Sequence, residues 1–380
     1  MTEHALSGLL VVSLEQAVAA PLASSRLADA GARVIKLERH EGDFARGYDT
    51  YANGHSSYFT WLNRHKESCR VDLADKEDLR LVHAMLERAD VFIQNLGPGA
   101  AGRLGLGSES LRARHPRLIT CDISGYAANT PDAKRKAYDL MIQAESGLSG
   151  VTGTEESGPS RIGISICDIT TGMTAHAQIL EALYKRERTG QGSAISVSLF
   201  DVAAETMNIP YIAARNGGPH ARRVGLAHPS IAPYGAFQLA DGTLLIAVQS
   251  EREWARLCRD ILGQEDLATD PRFCSNSLRV ANRPAMQDIV SKGLAQLDTA
   301  TAINRLEEAK IAWGRVSSLD DLMAHTALST VTAVAGPAEI VMVAGPAVVD
   351  GVRAGGGRVP ALGEHDELLR GEFLGAAAAA

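Results

Sequence analysis

Asp168 is the residue whose position in this chain most directly suggests chemistry. It follows the mainly apolar stretch 163–167 and precedes a run with helical spacing that ends at Gly190. A carboxylate in that place could act as a nucleophile. The same place also suits a helix N-cap, for which Asp168 or Thr170 is the natural choice because short polar side chains accept hydrogen bonds from the first backbone amides. These residues alone leave both roles open.

Composition excludes several classes of protein. The 380 residues have an ordinary apolar content and a formal net charge of -7, so no broad basic surface for nucleic acid is expected. The five cysteines are scattered, without a CxxC pair, which argues against a disulfide framework or a zinc site and for a reducing cytoplasm. No apolar run reaches membrane-spanning length, and the N-terminus lacks signal-peptide features. We therefore expect a cytoplasmic protein with no metal, nucleic acid or membrane partner.

The first two hundred residues alternate between strand and helix patterns. Such alternation is typical of βαβ units and predicts an α/β fold with a Rossmann-like parallel sheet in a large domain. The predicted strands are Leu9–Leu14, Arg33–Glu38, Asp90–Leu96 and Leu118–Ser124, and the predicted helices are Pro21–Ala30, Lys76–Arg88 and Ser108–His115.

The loop after the first strand argues against a nucleotide-linked oxidoreductase. The stretch Glu15–Pro21 lacks the glycines that let a backbone approach a dinucleotide pyrophosphate. A phosphate-binding GxxxxGK[ST] motif is also missing from the sequence. A parallel sheet without either motif is expected to bind a ligand other than a dinucleotide or a nucleoside triphosphate.

The second half of the chain predicts a smaller α+β domain. Tyr234–Leu239 and Thr243–Val248 flank an Asp-Gly turn, which is a strong hairpin signal. Helices are predicted at Glu251–Leu262, Arg283–Leu306 and Leu319–Ala324, and a strand at Ala338–Val343. We therefore predict a large domain over residues 1–214, a linker over 215–233, a small domain over 234–312, and a segment over 313–380 that returns to the large domain. We assign no role to the alanine run 376–380.

Two groups of residues could serve a ligand at the sheet edge. The turn Asn95–Gly99 and Arg103 follow a parallel strand, where open α/β sheets bind ligands. Lys36 and Arg39 lie near the end of another strand, with Lys66 further along. A chain-reversing turn and solvated surface charges are equally open interpretations of these residues taken one by one.

The order of motifs along the chain resembles the class III CoA-transferases, the family of formyl-CoA transferase and carnitine CoA-transferase, with α-methylacyl-CoA racemase as a relative. The resemblance spans residues 8 to 370. It rests on Leu27–Glu38, Gly42-Asp43, Asn63–Lys66, Asn95–Gly99, Lys136-Ala-Tyr-Asp139, Cys167-Asp-Ile-Thr-Thr-Gly172, Arg188–Gly192, His228–Tyr234 and Pro360–His365.

The resemblance implies that Asp168 is a covalent nucleophile. It would attack an acyl-CoA thioester, form a mixed anhydride, and then become an aspartyl-CoA thioester. This route uses CoA thioesters and carboxylic acids as substrates and needs no tightly bound cofactor and no metal. With an ordinary carboxyl pKa of about 4, the nucleophile would already be ionised at neutral pH.

The resemblance also implies a CoA site and an interlocked homodimer in which each chain threads the other. Arginine and lysine in such a site suit the CoA phosphates. The positions that match the family's CoA site and the loop near the thioester are Val18, Ala19, Arg39, Lys66, Asn95, Leu96, Arg103, Leu104, Lys136 and Tyr138.

Within the family, Tyr138 favours the transferase branch over the racemase branch. The racemase pattern places a histidine directly before Asp139, and a phenol of pKa ~10 cannot replace an imidazole in two-base proton exchange at neutral pH. A racemase and a catalytically silent CoA-binding paralogue are the alternatives. Because Arg222, Arg223 and His228 replace the glycine-run loop of the formyl-CoA branch, we predict a small C4 or C5 dicarboxylate as acceptor.

Overall fold

The computed structural model describes residues 4–375 of the chain, so the alanine run 376–380 lies outside the described residues. The strands, in chain order, are β1 (Leu10–Leu14), β2 (Arg33–Glu38), β3 (Lys66–Arg70), β4 (Val91–Gln94), β5 (Ile119–Ser124), β6 (Gly153–Thr154), β7 (Gly158–Pro159), β8 (Ala194–Ser198), β9 (Tyr234–Gln238), β10 (Thr243–Ala247), β11 (Ala312–Arg315), β12 (Thr330–Ala335), β13 (Ala338–Val343), β14 (Val348–Val349), β15 (Val352–Arg353) and β16 (Gly357–Val359).

The α-helices, in chain order, are α1 (Ala19–Asp29), α2 (Ser57–Asn63), α3 (Lys76–Arg88), α4 (Ala100–Arg103), α5 (Ser108–Arg114), α6 (Asp139–Glu145), α7 (Leu148–Val151), α8 (Ile166–Thr189), α9 (Leu199–Thr206), α10 (Asn208–Arg215), α11 (Glu251–Arg256), α12 (Asn276–Ala281), α13 (Arg283–Leu294), α14 (Thr299–Glu308), α15 (Leu319–Met323) and α16 (Asp366–Leu374). Short 3₁₀ turns occur at Phe44–Gly47, Pro131–Lys134 and Glu265–Ala268, and a π turn at Leu257–Ile261.

The chain divides into two compact units whose boundaries differ from the predicted ones. The first unit comprises the residues up to Leu148, Arg161–Tyr211 and those from Ser329 onward, and the second comprises Ser149–Ser160 and Ile212–Leu328. The stretch predicted as a linker therefore belongs to the second unit, which also takes residues 149–160 and continues beyond residue 312. Local sequence patterns did not reveal the excursion at 149–160, because β6 and β7 are two-residue strands.

The first unit is built on a parallel sheet, which confirms the predicted α/β fold class. The strand order is β3-β2-β1-β4-β5-β8, and the neighbouring strands run parallel. The order reverses between β1 and β4, and in open α/β sheets this reversal leaves a crevice at the carboxyl ends of the strands. The end of β1, at Leu14, therefore borders the expected binding region.

Helices cover both faces of this sheet. Val11 on one face of β1 packs with residues of α1, α8 and α9, whereas Val12 on the other face packs with α3, α5 and α16. Because both faces are buried, β1 is apolar at almost every position, as expected for a central parallel strand.

Two strands of the sheet were not predicted from the sequence. β3 has the sequence Lys-Glu-Ser-Cys-Arg, and its Lys66 and Ser68 are buried although they are polar. β8 is short and has the sequence Ala-Ile-Ser-Val-Ser. Both lack the apolar run that identified β1, because polar residues interrupt them. In β3, the buried Lys66 and Ser68 bond Glu15 and Glu38, which are distant in sequence.

The second unit contains the predicted hairpin, and it corrects one predicted helix. β9 and β10 pair antiparallel around Ala240-Asp-Gly242, which confirms the hairpin, and β11 adds to the β10 edge. The single helix predicted at Arg283–Leu306 is wrong, because the chain forms α13 and α14 with a break between them. Asp298 is the N-cap of α14 and accepts a hydrogen bond from the Thr301 N–H, which starts a new helix there.

Helices α1 and α8 approach each other closely at Gly172. A Cβ atom at this position would lie 2.5 Å from the Ala19 carbonyl oxygen and 2.9 Å from the Leu22 Cβ. We expect Gly172→Ala to lower the free energy of unfolding by about 1–3 kcal/mol, because the nearest obstacle is backbone and cannot move aside.

The matched control is Gly371→Ala in α16, where a Cβ atom would meet nothing within 4 Å. This change should raise the free energy of unfolding by about 0.5–1 kcal/mol through helix propensity. Urea denaturation of both variants measures the two effects, and equal effects would show that the close approach at Gly172 is unimportant.

Candidate functional site

The N-terminus of α8 is capped by a residue from another helix. Ser165 is the N-cap and its side chain makes no capping hydrogen bond, while Asp139 from α6 accepts hydrogen bonds from the N–H groups of Cys167 (2.8 Å) and Asp168 (3.3 Å). The predicted capping role of Asp168 or Thr170 is therefore wrong. Asp168 lies inside the first turn, and Thr170 Oγ1 donates to the Ile166 carbonyl. With capping done by Asp139, the Asp168 carboxylate is free for another role.

Asp139 is itself held in place by α6. Its side chain is buried, and Oδ2 accepts a 2.7 Å hydrogen bond from Gln143 Nε2. Gln143 also accepts from the Ile162 N–H (2.8 Å) and donates to the Ile164 carbonyl (3.2 Å). The segment that enters α8 is thus fixed by two side chains of α6, which sets the position of Asp168.

Burial and the neighbouring charge of Asp139 raise the pKa of Asp168 to about 7. Within residues 4–375, the structure records no hydrogen bond or ion pair to the Asp168 carboxylate that would oppose this rise. The expectation that Asp168 is fully ionised at neutral pH is therefore corrected, because near pH 7 both protonation states of the free enzyme are populated. A strongly shifted carboxyl in an otherwise unassigned position is typical of functional sites.

The first turn of α1 lies against the same face of α8. Gly172 is one helical turn after Asp168, and the Ala19 carbonyl approaches it closely. Val18 is the N-cap of α1, without a side-chain cap, and Val18 and Ala19 are both buried. The first-turn amides of a helix have no partner within the helix, so this end of α1 can stabilise negative charge.

Two tyrosines complete the surroundings of Asp168. Burial and the carboxylates of Asp43 and Asp168 raise the pKa of Tyr48 to about 12, with Tyr138 as a further contributor. Tyr48 also packs edge-on against Tyr58 at 5.4 Å between ring centroids. Tyr138 is exposed and forms the N-cap position of α6. The sequence analysis named Tyr138 and missed Tyr48. No sequence motif marks Tyr48, and only its position in the fold places it near Asp168.

A cavity of about 420 Å³ opens at the carboxyl ends of the strands. Among the predicted CoA-site residues, Arg39, Leu96 and Leu104 line it, together with Leu73 and Val71. Asn95 does not line the cavity. Its side-chain amide bonds both the N–H and the carbonyl of Gln16, at 3.0 and 2.9 Å, and so fixes the loop after β1.

The structure argues against the predicted role of Lys66 in the CoA site. Its ammonium is buried and bonds Glu15 Oε1 (2.7 Å), the Pro21 carbonyl (3.1 Å) and Asn63 Oδ1 (3.1 Å). Burial lowers the pKa of Lys66 to about 8, partly offset by Glu15. A lysine so enclosed cannot reach a phosphate at the surface. Arg103 and Lys136 are exposed, and their role in CoA binding stays a prediction.

Lys66 belongs to a group of four charges that we call the buried charge cluster: Glu15, Lys36, Asp43 and Lys66. The side chains of all four are fully shielded from solvent. Lys36 Nζ lies 2.9 Å from Asp43 Oδ2 and 3.6 Å from Glu15 Oε1. With two carboxylates and two ammonium groups, the cluster is formally neutral.

No group of three or more histidine, cysteine, aspartate or glutamate side chains within residues 4–375 is arranged to hold a metal ion. No helix in the same range combines the length and the apolar character that crossing a bilayer requires.

Known proteins resemble this chain along most of its length. A family model described as CoA-transferase family III matches residues 6–366. The succinyl-CoA:glutarate CoA-transferase of Mus musculus is 35% identical over 324 residues, covering 84% of this chain and 74% of that protein. The acetyl-CoA:oxalate CoA-transferase of Acetobacter aceti is 36% identical over 309 residues, covering 81% and 79%. The crystal structure of a CaiB/BaiF family protein from Brucella suis matches with a TM-score of 0.82 at 32% identity, covering 98% and 100%.

The shifted pKa of Asp168 predicts a pH-dependent effect of Asp168→Asn on stability. Because the pKa is higher in the folded state than the ordinary value of 3.8, the native protein holds an extra proton between about pH 4 and 7. Wild-type stability therefore falls across this window as pH rises. Asp168→Asn should gain up to about 4 kcal/mol over the wild type from pH 4 to 7 and then level off.

Urea denaturation at several pH values measures this difference, and its pH dependence is the readout. Asp139→Asn is the informative companion variant, because asparagine still accepts the two N–H bonds while its neutral side chain lets the pKa of Asp168 fall. A difference between Asp168→Asn and wild type that is the same at pH 4 and pH 8 would contradict the shift.

Proposed function

The chain belongs to CoA-transferase family III, and on this premise we propose that it transfers CoA from an acyl-CoA donor to a carboxylic acid through covalent intermediates on Asp168. The observation that supports this most strongly is that the helix cap and the proposed nucleophile at the start of α8 are two different aspartates. Asp139 accepts the hydrogen bonds of the helix N-terminus. Among residues 4–375 the Asp168 carboxylate has no recorded hydrogen bond, and Gly172, one helical turn later, contacts the first turn of α1.

The proposed chemistry consists of four displacements. Asp168 attacks the donor thioester carbonyl and expels CoA thiolate, which forms a mixed anhydride. The thiolate then attacks the aspartyl carbonyl, releases the donor acid, and forms an aspartyl-CoA thioester. The acceptor carboxylate attacks this thioester to give a second anhydride and CoA thiolate. The thiolate finally attacks the acceptor carbonyl, which yields the new acyl-CoA and restores the Asp168 carboxylate.

Each displacement passes through an oxyanion that needs hydrogen-bond donors. The uncapped first turn of α1, at Val18 and Ala19, is the group of backbone amides that we propose for this purpose, because it faces Gly172 on the helix of Asp168. The partly buried position of Asp168 supports the same proposal. Exclusion of water protects anhydride and thioester intermediates from hydrolysis.

We propose that the cavity at the strand ends receives the nucleotide portion of CoA. Leu73, Leu96 and Leu104 offer an apolar surface for the adenine, and Arg39 is an exposed guanidinium at the rim that suits a phosphate. Arg103 and Lys136 are further exposed cations for the phosphates. Lys66 is not part of this proposal, because its ammonium is buried.

For the acceptor, we propose a small C4 or C5 dicarboxylate. The two relatives above are named for glutarate and oxalate, which are both dicarboxylates. Of the three basic residues predicted to face the distal carboxylate, Arg223 bonds the carbonyls of Thr154 and Gly150, and His228 stacks on Tyr234. Arg222 is exposed, and its role toward a distal carboxylate stays a prediction.

The remaining expectations are also proposals. We propose a cytoplasmic homodimer, interlocked as the resemblance implies, that binds its substrates without a resident cofactor. All five cysteines are free thiols in the structure, and four of them are buried, which is compatible with a reducing compartment. Light scattering of the purified protein tests the dimer.

The covalent role of Asp168 is tested without an acceptor. Wild-type enzyme mixed with succinyl-CoA should release about one equivalent of succinate and, after hydroxylamine treatment, carry a hydroxamate on Asp168 that peptide mass spectrometry detects. Asp168→Asn should do neither, and its steady-state rate should fall at least ~10³-fold. Folding is checked by the stability measurement above, and turnover by Asp168→Asn at the wild-type rate would refute the proposal.

The same assay separates acceptor classes. Initial rates with succinyl-CoA are compared for C4 and C5 dicarboxylates and for monocarboxylates of the same chain length. Turnover with monocarboxylates alone would refute the dicarboxylate proposal and leave the covalent mechanism intact.

Arg39 provides a test of the CoA pocket. Arg39→Ala should raise KM for the acyl-CoA about 10-fold and leave KM for the acceptor unchanged, because a phosphate contact of this kind contributes on the order of 1–2 kcal/mol. Arg33→Ala is the control. Arg33 is the first residue of β2, at the end of the strand away from Arg39, and it pairs with Glu67 and Glu372, so this change should leave both KM values unchanged.

A further inference from the structure

The turn Glu15–Pro21 leads from β1 into the first residues of α1, and its backbone is bonded by three members of the buried charge cluster. Lys36 Nζ donates to the Glu15 carbonyl at 3.3 Å, and Asp43 Oδ1 accepts from the Ala17 N–H at 3.1 Å. Lys66 Nζ donates to the Pro21 carbonyl at 3.1 Å. Glu15 Oε2 accepts from the hydroxyl of Ser24 in α1 at 2.7 Å. Charged side chains thus fix the turn at its start, middle and end.

This turn contains an unfavourable backbone conformation. Ala17 has a φ of 65°, in the left-handed region that residues other than glycine rarely adopt. Such a conformation persists only where surrounding contacts enforce it. Here the enforcing contacts are Asp43 on the Ala17 N–H and the Asn95 amide on both backbone groups of Gln16.

The residues directly after Ala17 are those that face the helix of Asp168. Val18 caps α1, and the Ala19 carbonyl lies against Gly172, one helical turn beyond Asp168. A change in the backbone at Ala17 therefore displaces the amides proposed to stabilise the oxyanions. The buried charge cluster would influence the reaction only by fixing the backbone of residues 17–19.

Stability alone is a poor reason for four buried charges. Desolvation of ion pairs costs as much as their attraction returns, and apolar replacements of similar volume are often at least as stable. We propose that the buried charge cluster is a positioning device, which holds the turn Glu15–Pro21 in its strained form and so aims the first turn of α1 at the reacting carbonyl. This inference rests on the proposed role of Asp168.

The proposal is tested with a matched pair of variants. Asp43 Oδ1 accepts from the N–H groups of Ala17 and Ala45, and Oδ2 pairs with Lys36. The NH2 group of asparagine must therefore face either the Lys36 ammonium or the two N–H groups, and each arrangement sets a donor against a donor. Asp90, at the other end of β1, also accepts from a backbone N–H and pairs with a buried cation. Its partners are the Leu10 N–H (2.8 Å) and Arg186 (2.9 Å). Asp90→Asn is therefore the control for loss of a partly buried ion pair.

We expect Asp43→Asn and Asp90→Asn to lower the melting temperature to a similar degree. Only Asp43→Asn should slow succinate release from succinyl-CoA, by about 10- to 100-fold, as expected for a small misplacement of reacting groups. Adding Ala17→Gly to Asp43→Asn should restore several-fold of that rate, because glycine adopts a positive φ without strain. Equal rates in Asp43→Asn, Asp90→Asn and wild type would overturn the proposal, as would a slow Asp43→Asn that Ala17→Gly does not restore.

A measurement on the wild type covers the case in which Asp43→Asn does not fold. Hydrogen exchange of the peptide that contains Ala17 and Val18 should be as slow in the free enzyme as with bound CoA, because the cluster holds the turn before substrate arrives. Fast exchange in the free enzyme would overturn the proposal. If Asp168→Asn remained active, the proposed function would fail instead, and normal Asp43→Asn rates beside an inactive Asp168→Asn would refute the positioning device alone.

Discussion

Two backbone N–H groups at the start of α8 donate to Asp139, and this hydrogen-bonded contact determines what Asp168 can do. A helix N-terminus attracts the nearest carboxylate, and Asp168, in the first turn, would be the natural candidate. Because α6 supplies another carboxylate that is buried and fixed by Gln143, the Asp168 side chain keeps its oxygens available. The cap also brings a negative charge close to Asp168, which contributes to its raised pKa.

The other requirement is a close approach between α1 and α8. Gly172 permits it, since any side chain there would meet the Ala19 carbonyl. On the other side, the turn before α1 is fixed by the buried charge cluster and by Asn95. Small residues at the contact and charged residues beneath the turn thus serve the same purpose, which is to present the N-terminus of α1 to the helix of Asp168. The apolar sheet supplies the rigid support for both helices.

The sequence predicts most of this fold where apolar spacing is clear. The bounds of β2 and α3 agree with the prediction, and the hairpin at Ala240-Asp-Gly242 follows from turn chemistry. β3 was missed because its buried residues include Lys66 and Ser68, whose partners lie far away in sequence. Lys66 was misassigned to the CoA site for the same reason, since a residue type does not reveal burial. Asp168 was identified through family resemblance, whereas Asp139 as its capping partner required the fold, because the two are 29 residues apart.

The raised pKa of Asp168 is compatible with its proposed role as an acyl carrier. Burial penalises the ionised carboxylate and places no such penalty on a neutral anhydride or thioester. Acylation of Asp168 therefore removes a desolvated charge, so burial shifts the equilibrium toward the covalent intermediates relative to an aspartate in water. The negative charge of Asp139 acts in the same direction. An exposed aspartate would ionise more completely. Its acylation would relieve no desolvation penalty, however, and water could hydrolyse the acylated form. The environment that makes Asp168 a weaker acid thus favours the covalent intermediates of the proposed mechanism.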